Sequence, residues 1–310
     1  MILTIILLAA GLLLLTFGAD WLVQGGSSIA RRFRISPMVI GLTVVAIGTS
    51  APELVVSMRA AFGGSGSIAM GNVIGSNICN ILLVLGCASI IRPLPVQRDH
   101  FRFDIPALLI SSALLMIVFY DLSLSRIESL ILIAGTISFF WISLYLQKQI
   151  EPTTDTYDKD SWILLPAWKS FFFVFLGLGL LLLGAHWLVN SAQSIAALLG
   201  WDEGIAGLLI VALGTSLPEL AACIAASIRK ESNLLIGSII GSNIFNVMVI
   251  PGLSFLFFPG AAPDIDYINL WIMLFTVVLL VPLMLTGGKL SRPEGVLLSA
   301  LYLSYVFFLL

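Results

Sequence analysis

The chain repeats two motifs at a fixed spacing of 166 residues, which is the spacing between Glu53 and Glu219. The first motif, Gly-Thr-Ser-x-Pro-Glu, ends at Glu53 in one copy and at Glu219 in the other. The second motif, Gly-Ser-Asn-x-x-Asn, ends at Asn80 and at Asn246. Because the motifs keep their order and their separation, the sequence predicts two copies of one structural unit.

Composition places both copies in a membrane. Hydrophobic residues make up 59% of the chain and charged residues only 10%, whereas soluble domains carry about 25% charged residues. A membrane-spanning helix needs about 20 mostly apolar residues. Ten stretches meet this need: 2–30, 37–61, 67–90, 104–120, 127–147, 167–199, 203–228, 234–257, 267–286 and 294–310. We therefore predict an all-α membrane protein with ten transmembrane helices.

The repeat divides the chain into three parts. Residues 1–150 are predicted to form a first five-helix repeat, 151–166 a cytoplasmic linker, and 167–310 a second five-helix repeat. Since five is odd, the second repeat must enter the membrane from the opposite side. Inverted repeats of this kind are typical of secondary transporters, which bind their substrate at the repeat interface near the midplane.

The basic residues support the inversion. Alternate loops hold most of them on one side of the predicted membrane: Arg31, Arg32, Arg34, Arg92, Arg98, Arg102, Lys148, Lys159, Lys169, Arg229, Lys230, Lys289 and Arg292. Only Arg59 and Arg126 fall on the other side. By the positive-inside rule the basic side is cytoplasmic, so both termini are expected outside. The net charge of −2 offers no basic face for nucleic acid.

Each glutamate lies in the middle of an apolar span. A charged side chain at this depth costs roughly 2.5–3.5 kcal/mol, and apart from Arg59, near the end of 37–61, the two spans hold no Lys or Arg. Pro52 and Pro218 are expected to release carbonyls around 46–49 and 212–215 from the helical ladder. Irregular backbone at membrane depth is tolerated where it lines a cavity. The two motifs therefore predict a cation site between the repeats.

The candidate ligands are hard oxygen donors. The first motif supplies the hydroxyls of Thr49, Ser50, Thr215 and Ser216. The second supplies Ser76, Asn77 and Asn80, which share a helix face, and their equivalents Ser242, Asn243 and Asn246. The spacings Gly71–Gly75 and Gly237–Gly241 are expected to bring these helices close to their neighbours.

Oxygen donors without sulfur or imidazole favour calcium, magnesium, manganese or sodium over zinc or copper. Calcium fits best, because it accepts six to eight oxygens in flexible geometry and its charge balances two carboxylates. Cys79, Cys87 and Cys223 show no paired spacing, so packing roles are expected and no zinc site is implied.

At these motifs the chain resembles the calcium/cation antiporter superfamily, and most closely its compact prokaryotic sodium/calcium exchangers. The resemblance implies alternating access and calcium bound by Glu53 and Glu219 with the carbonyls of Thr49 and Thr215. It also implies flanking sodium sites, with Asn80 near the centre; their residues are Ser50, Ser76, Ser216, Ser242 and the carbonyls of Ala46 and Ala212. Some members carry Asp where this chain has Asn246, which leaves the counter-ion open.

The predicted function is secondary antiport of Ca²⁺ for Na⁺ across a prokaryotic inner membrane, by a monomer surrounded by lipid. No enzymatic activity and no permanent cofactor are expected. The alternative is a proton-coupled exchanger of Ca²⁺ or other divalent cations. A calcium channel would need no counter-ion. An intramembrane aspartyl protease is disfavoured, since the chain has no Gly-x-Gly-Asp element.

Overall fold

The computed structural model describes residues 2–96, 103–147, 165–198 and 213–309, which are mostly helical. The α-helices are α1 (Ile2–Phe33), α2 (Pro37–Ile40), α3 (Ala46–Thr49), α4 (Ala51–Phe62), α5 (Gly66–Cys79), α6 (Leu85–Ile91), α7 (Ile105–Val118), α8 (Arg126–Gln147), α9 (Ala167–Leu198), α10 (Leu217–Ile228), α11 (Ser232–Ile244), α12 (Ile250–Phe257), α13 (Tyr267–Leu285) and α14 (Arg292–Leu309). The π-helical segments are π1 (Gly41–Val45), π2 (Asn80–Val84) and π3 (Phe245–Val249), and a short 3-10 helix covers Thr286–Gly288. The strands are β1 (Leu94–Pro95), β2 (Ser123–Leu124), β3 (Gly260–Ala261) and β4 (Lys289–Leu290).

The prediction of a membrane protein is confirmed, although the described helices do not all reach the length of a span. Six described helical runs are long and apolar enough to cross a membrane, and α2–α4, bent by 46°, makes a seventh if it counts as one span. Of the remaining predicted spans, α7 and α10 have 14 and 12 residues. The last, α14, carries both Arg292 and Glu294 in its first turn. Two predicted regions, 151–164 of the linker and 203–212 of the seventh span, lie outside the described residues.

Helices α1 and α9 pack against each other along glycines. A methyl group added to Gly11 would lie 2.8 Å from the carbonyl oxygen of Gly184, and one added to Gly18 would lie 2.8 Å from that of Gly177. From Gly11 to Gly18 along α1, the contacted residue on α9 moves back from Gly184 to Gly177, so the two helices are antiparallel. Lipid gives helices no hydrophobic reason to associate, and small residues instead allow close backbone packing. These glycines therefore bring the first helices of the two sequence copies into direct contact.

Two short antiparallel ladders join the two halves of the chain. Strand β1 pairs with β4, so that Leu94 lies opposite Leu290, and β2 pairs with β3, so that Leu124 lies opposite Gly260. A shift of 166 residues converts the Leu94–Leu290 pair into the Gly260–Leu124 pair. The two ladders are therefore equivalent under the repeat seen in the sequence.

Glycines of α11 pack against the first half of the chain. A methyl group on Gly237 would lie 2.3 Å from the carbonyl oxygen of Met38, and one on Gly241 would lie 2.5 Å from that of Leu42. The expected close approach is thus confirmed for the second copy. In the first copy Gly71 is exposed, and its nearest described neighbour would lie 3.8 Å away. The repeat equivalents of Met38 and Leu42, at 204 and 208, lie outside the described residues.

Candidate ion site

The helix carrying each glutamate begins two residues before it. The helix is interrupted at Ser50, between α3 and α4, where φ is −82° and ψ is 8°. Ser216 precedes α10 with similar values, φ −88° and ψ 5°. Pro52 and Pro218 therefore lie in a first helical turn, where an amide would lack an intrahelical partner anyway. The predicted break in the helical ladder before Pro52 is therefore present, and the two helices that flank it are bent by 46°. The consequence is that both glutamates lie at the positive end of a helix dipole, which favours their negative charge.

The break frees backbone carbonyls as expected, but not all the expected ones. Pro52 has no amide to donate to the Gly48 carbonyl, and Ser50 interrupts the helical ladder between α3 and α4. The Ala46 carbonyl stays in the ladder, since it accepts the Ser50 amide at 3.0 Å. The prediction that Ala46 is released is therefore wrong, although a carbonyl oxygen keeps a second lone pair. Its equivalent Ala212 lies outside the described residues.

The two glutamates are brought together by reciprocal contacts. Ser50 Oγ donates to Glu219 Oε1 at 2.8 Å, and Ser216 Oγ donates to Glu53 Oε1 at 3.4 Å. Both carboxylates are fully buried, at 0% and 1% exposure, and they interact electrostatically with each other. Each serine thus reaches the glutamate of the opposite motif, so the two motifs form one cluster. We call these four residues the carboxylate cluster.

The carboxylate cluster holds buried acids without a base. In the described ranges neither glutamate forms an ion pair with Lys, Arg or His, and the second oxygen of each has no hydrogen-bond partner. The described residues also contain no group of three His, Cys, Asp or Glu side chains that could hold a metal. A cation here must therefore complete its shell with neutral oxygens.

Neutral oxygens are present in the second motif of each copy. Asn80 begins π2 and Asn246 lies within π3, and π-helical segments interrupt α-helices most often at functional sites. Asn80, Asn246, Ser76 and Ser242 are all buried. The amide atoms of the two asparagines and the hydroxyls of the two serines have no hydrogen-bond partner within the described residues. An unpaired buried polar group costs about 1–3 kcal/mol, so these groups indicate a site that binds something polar.

Two predicted neighbours direct their side-chain nitrogens to their own helices, although the side-chain oxygen of Asn243 has no partner among the described residues. The amides of Asn77 and Asn243 donate to carbonyls of their own helices, Val73 at 2.7 Å and Ile239 at 2.8 Å. Thr49 likewise directs its hydroxyl to the Val45 carbonyl at 3.1 Å. Thr49 and Thr215 are both buried beside the helix breaks, and their side chains interact with Glu219 and Glu53 respectively.

Cys79 and Asn72 lie near the glutamates although no site role was predicted for them. The Cys79 thiol interacts with both carboxylates and with Ser216. Asn72 Nδ2 donates to the Glu53 carbonyl at 3.1 Å and to Ser57 Oγ at 3.0 Å. The amide therefore ties α4 to α5 at the turn that carries Glu53. Position 72 directly follows Gly71, but the second copy has Ser238 there, so the repeat gave no signal.

We expect Asn72→Ala to lower the free energy of unfolding by about 1–3 kcal/mol, because it removes two hydrogen bonds and leaves the Ser57 hydroxyl with one partner fewer. Thermal unfolding of the purified protein in detergent measures this loss. Ser238→Ala is the matched control at the equivalent position, where the buried hydroxyl has no partner among the described residues. Equal destabilisation by both changes would contradict the role assigned to Asn72.

Comparison with known proteins places the chain among ion exchangers. A family model described as sodium/calcium exchanger protein matches residues 3–145 and 169–310. Two similar relatives are the putative antiporter CaxA of Alkalimonas amylolytica and the sodium/calcium exchanger MaX1 of Methanosarcina acetivorans. The first is 38% identical over 319 residues, covering 100% of this chain and 99% of the relative. The second is 29% identical over 338 residues, covering 97% of each.

A solved structure has the same fold over nearly the whole chain. The sodium-calcium exchanger NCX_Mj, soaked with Na⁺ and Sr²⁺, superposes with a TM-score of 0.86 at 32% sequence identity. The match covers 98% of this chain and 98% of that one. The same exchanger without Na⁺ and Ca²⁺ gives a TM-score of 0.84.

Proposed function

The chain belongs to the sodium/calcium exchanger family, a family of multi-pass membrane transporters, and we propose that it exchanges Ca²⁺ for Na⁺ by alternating access at the carboxylate cluster. The observation that carries the proposal is the pair of reciprocal bonds between Ser50 and Glu219 and between Ser216 and Glu53. They join the two motifs around buried carboxylates that the described residues leave without a base.

Charge gives the exchange its mechanism. Burying an ion costs several kcal/mol unless a partner of opposite charge is present. One calcium ion neutralises both carboxylates, and sodium ions neutralise them when calcium leaves. An empty site would keep two charges in a desolvated place, so the protein changes sides only when the site is loaded. This requirement couples the outward movement of one ion to the inward movement of the other.

The proposed ligands divide into two groups. Calcium is held by Glu53 and Glu219 with the carbonyls of Thr49 and Thr215, an all-oxygen set of the kind that calcium prefers. The flanking sodium positions use the remaining oxygens: the hydroxyls of Ser50, Ser76, Ser216 and Ser242 and the carbonyls of Ala46 and Ala212. Asn80 and Asn246 lie beside the central position, and their unpaired buried amides support this assignment.

We also propose that the whole chain forms ten spans in two inverted repeats, 1–150 and 167–310, joined by a cytoplasmic linker. The repeat-related ladders and the antiparallel packing of α1 on α9 support the inversion. The excess of basic residues on one side supports termini that face outward. The protein is proposed to work as a monomer in a prokaryotic inner membrane, which its bacterial and archaeal relatives support.

Transport driven by separate gradients tests the proposal. Proteoliposomes loaded with Na⁺ and diluted into Na⁺-free buffer should take up Ca²⁺, and empty liposomes should not. A pH gradient without sodium should drive no uptake. Uptake driven by the pH gradient alone would instead identify a proton-coupled exchanger, and uptake indifferent to both gradients would identify a channel.

A further inference from the structure

Two ion pairs connect α1 to the turn between α10 and α11. The Arg229 guanidinium contacts the carboxylate of Asp20 through two nitrogens. Arg31, near the end of α1, contacts Glu231 at 2.8 Å. The pairs have opposite polarity, since α1 supplies the acid to one and the base to the other. Because α10 carries Glu219 at its other end, these pairs attach α1 to the helix that holds half of the carboxylate cluster.

Within the described residues, the opposite half of the molecule has no counterpart of these ion pairs at the repeat-equivalent positions. The repeat equivalents of Asp20 and Arg229 are His186 and Gly63, and those of Arg31 and Glu231 are Ala197 and Ser65. None of these combinations makes an acid–base pair. The charges therefore act on one side of the membrane only.

Helix packing shows the same asymmetry. Helix α1 packs along α10, whereas α9 and α4, which are the repeat equivalents of α1 and α10, share almost no contact within the described residues. In the described structure, α1 and α10 are therefore packed together, whereas α9 and α4 are apart. The ion pairs lie on the closed side.

We propose that Asp20 and Arg31 are positioning residues that hold α1 over the carboxylate cluster and keep it closed on the side of Arg229 and Glu231. The proposal rests on alternating access as proposed above. Ions reach the cluster from that side only after both pairs separate. Since the described residues of the other side form no such pairs, the protein at rest favours access from the opposite side, and the two directions of exchange are unequal.

Cys223 reports on this closure. It lies on α10 one turn after Glu219, toward the Arg229 end, and it is 1% exposed. A membrane-impermeant charged thiol reagent is applied to vesicles of each orientation, and labelling at Cys223 is measured by mass spectrometry. We expect Asp20→Asn to raise the labelling rate about tenfold, the effect of losing a hydrogen bond between charged groups. The increase should occur only from the side of Arg229.

Two further variants separate positioning from general loosening. His186→Asn, at the equivalent position without an ion pair, should leave Cys223 labelling unchanged. The double variant Asp20→Arg with Arg229→Asp re-forms a pair of reversed polarity, so it should restore slow labelling. Equal rates in Asp20→Asn and the unchanged protein, or equal increases from both sides, would overturn the proposal.

Transport gives a second readout. Breaking the pair increases the population that is open toward Arg229, so the apparent affinity for Ca²⁺ measured from that side should rise about tenfold. A purely structural loss would instead reduce exchange from both sides. Labelling needs no transport, so it tests the ion pairs even if another ion is exchanged. Sodium-driven calcium uptake with unchanged labelling would reject only the ion-pair proposal.

Discussion

We expect Glu53→Gln and Glu219→Gln each to reduce sodium-driven calcium uptake to the level of empty liposomes. Glutamine keeps the size of the side chain but removes one of the two negative charges that balance a divalent ion. The remaining single charge cannot neutralise calcium in a desolvated site, where an unbalanced ion costs several kcal/mol. Calcium uptake into sodium-loaded proteoliposomes measures the effect, with protein incorporation determined for each preparation.

Glu128→Gln is the matched control for these two changes. Glu128 also lies in the first turn of a helix, α8, where it accepts the Ser125 amide at 2.8 Å, but it is only partly buried. The control should retain uptake close to that of the unchanged protein. Normal uptake in either Glu53→Gln or Glu219→Gln would refute the assignment of the carboxylate cluster.

Gly237→Ala is expected to destabilise the folded protein by about 3 kcal/mol, the upper end of the usual cost of overpacking. The added methyl would lie 2.3 Å from the Met38 carbonyl oxygen, so backbone has to move where α11 meets the first half. The displacement acts on the helix that carries Ser242, and calcium uptake should fall with stability. Thermal unfolding in detergent and uptake in liposomes measure the two effects.

The same substitution at the equivalent glycine should have the opposite sign. Gly71 is exposed and its nearest described neighbour would be 3.8 Å from the new methyl. Alanine is favoured over glycine inside a helix by up to about 1 kcal/mol, so Gly71→Ala should be neutral or slightly stabilising. Similar losses of stability in Gly71→Ala and Gly237→Ala would mean that close contact between helices is not the cause of the effect of Gly237→Ala.

The sequence was sufficient to predict what the two copies share. A carboxylate inside an apolar span, found twice with the same neighbours, led to Glu53 and Glu219, and the structure brings them into one cluster. One motif-based detail was wrong for a physical reason. A proline within an apolar stretch fits both a kinked helix and the start of a new one, and here the chain turns at Ser50, so that the proline follows the break. The same break leaves the Ala46 carbonyl in its ladder.

Features present in only one copy could not be found by comparing the copies. Asn72 contacts Glu53, but the second copy has serine at the equivalent position. Asp20 pairs with Arg229, but the repeat equivalent of Asp20 is a histidine and that of Arg229 is a glycine. The bond from Ser50 to Glu219 depends on how two distant helices approach each other, which no local pattern encodes. The π-helical segments at Asn80 and Asn246 likewise have no signal in the local sequence pattern.

The two-residue ladders also have a consequence for how the protein is made. Strand β1 is synthesised early, but its partner β4 leaves the ribosome only shortly before the last helix. The first half therefore cannot complete its backbone pairing until almost the whole polypeptide has been inserted. Contacts between such distant segments form slowly, because a long loop must close first. The two halves therefore complete their backbone pairing together, once β4 has been inserted.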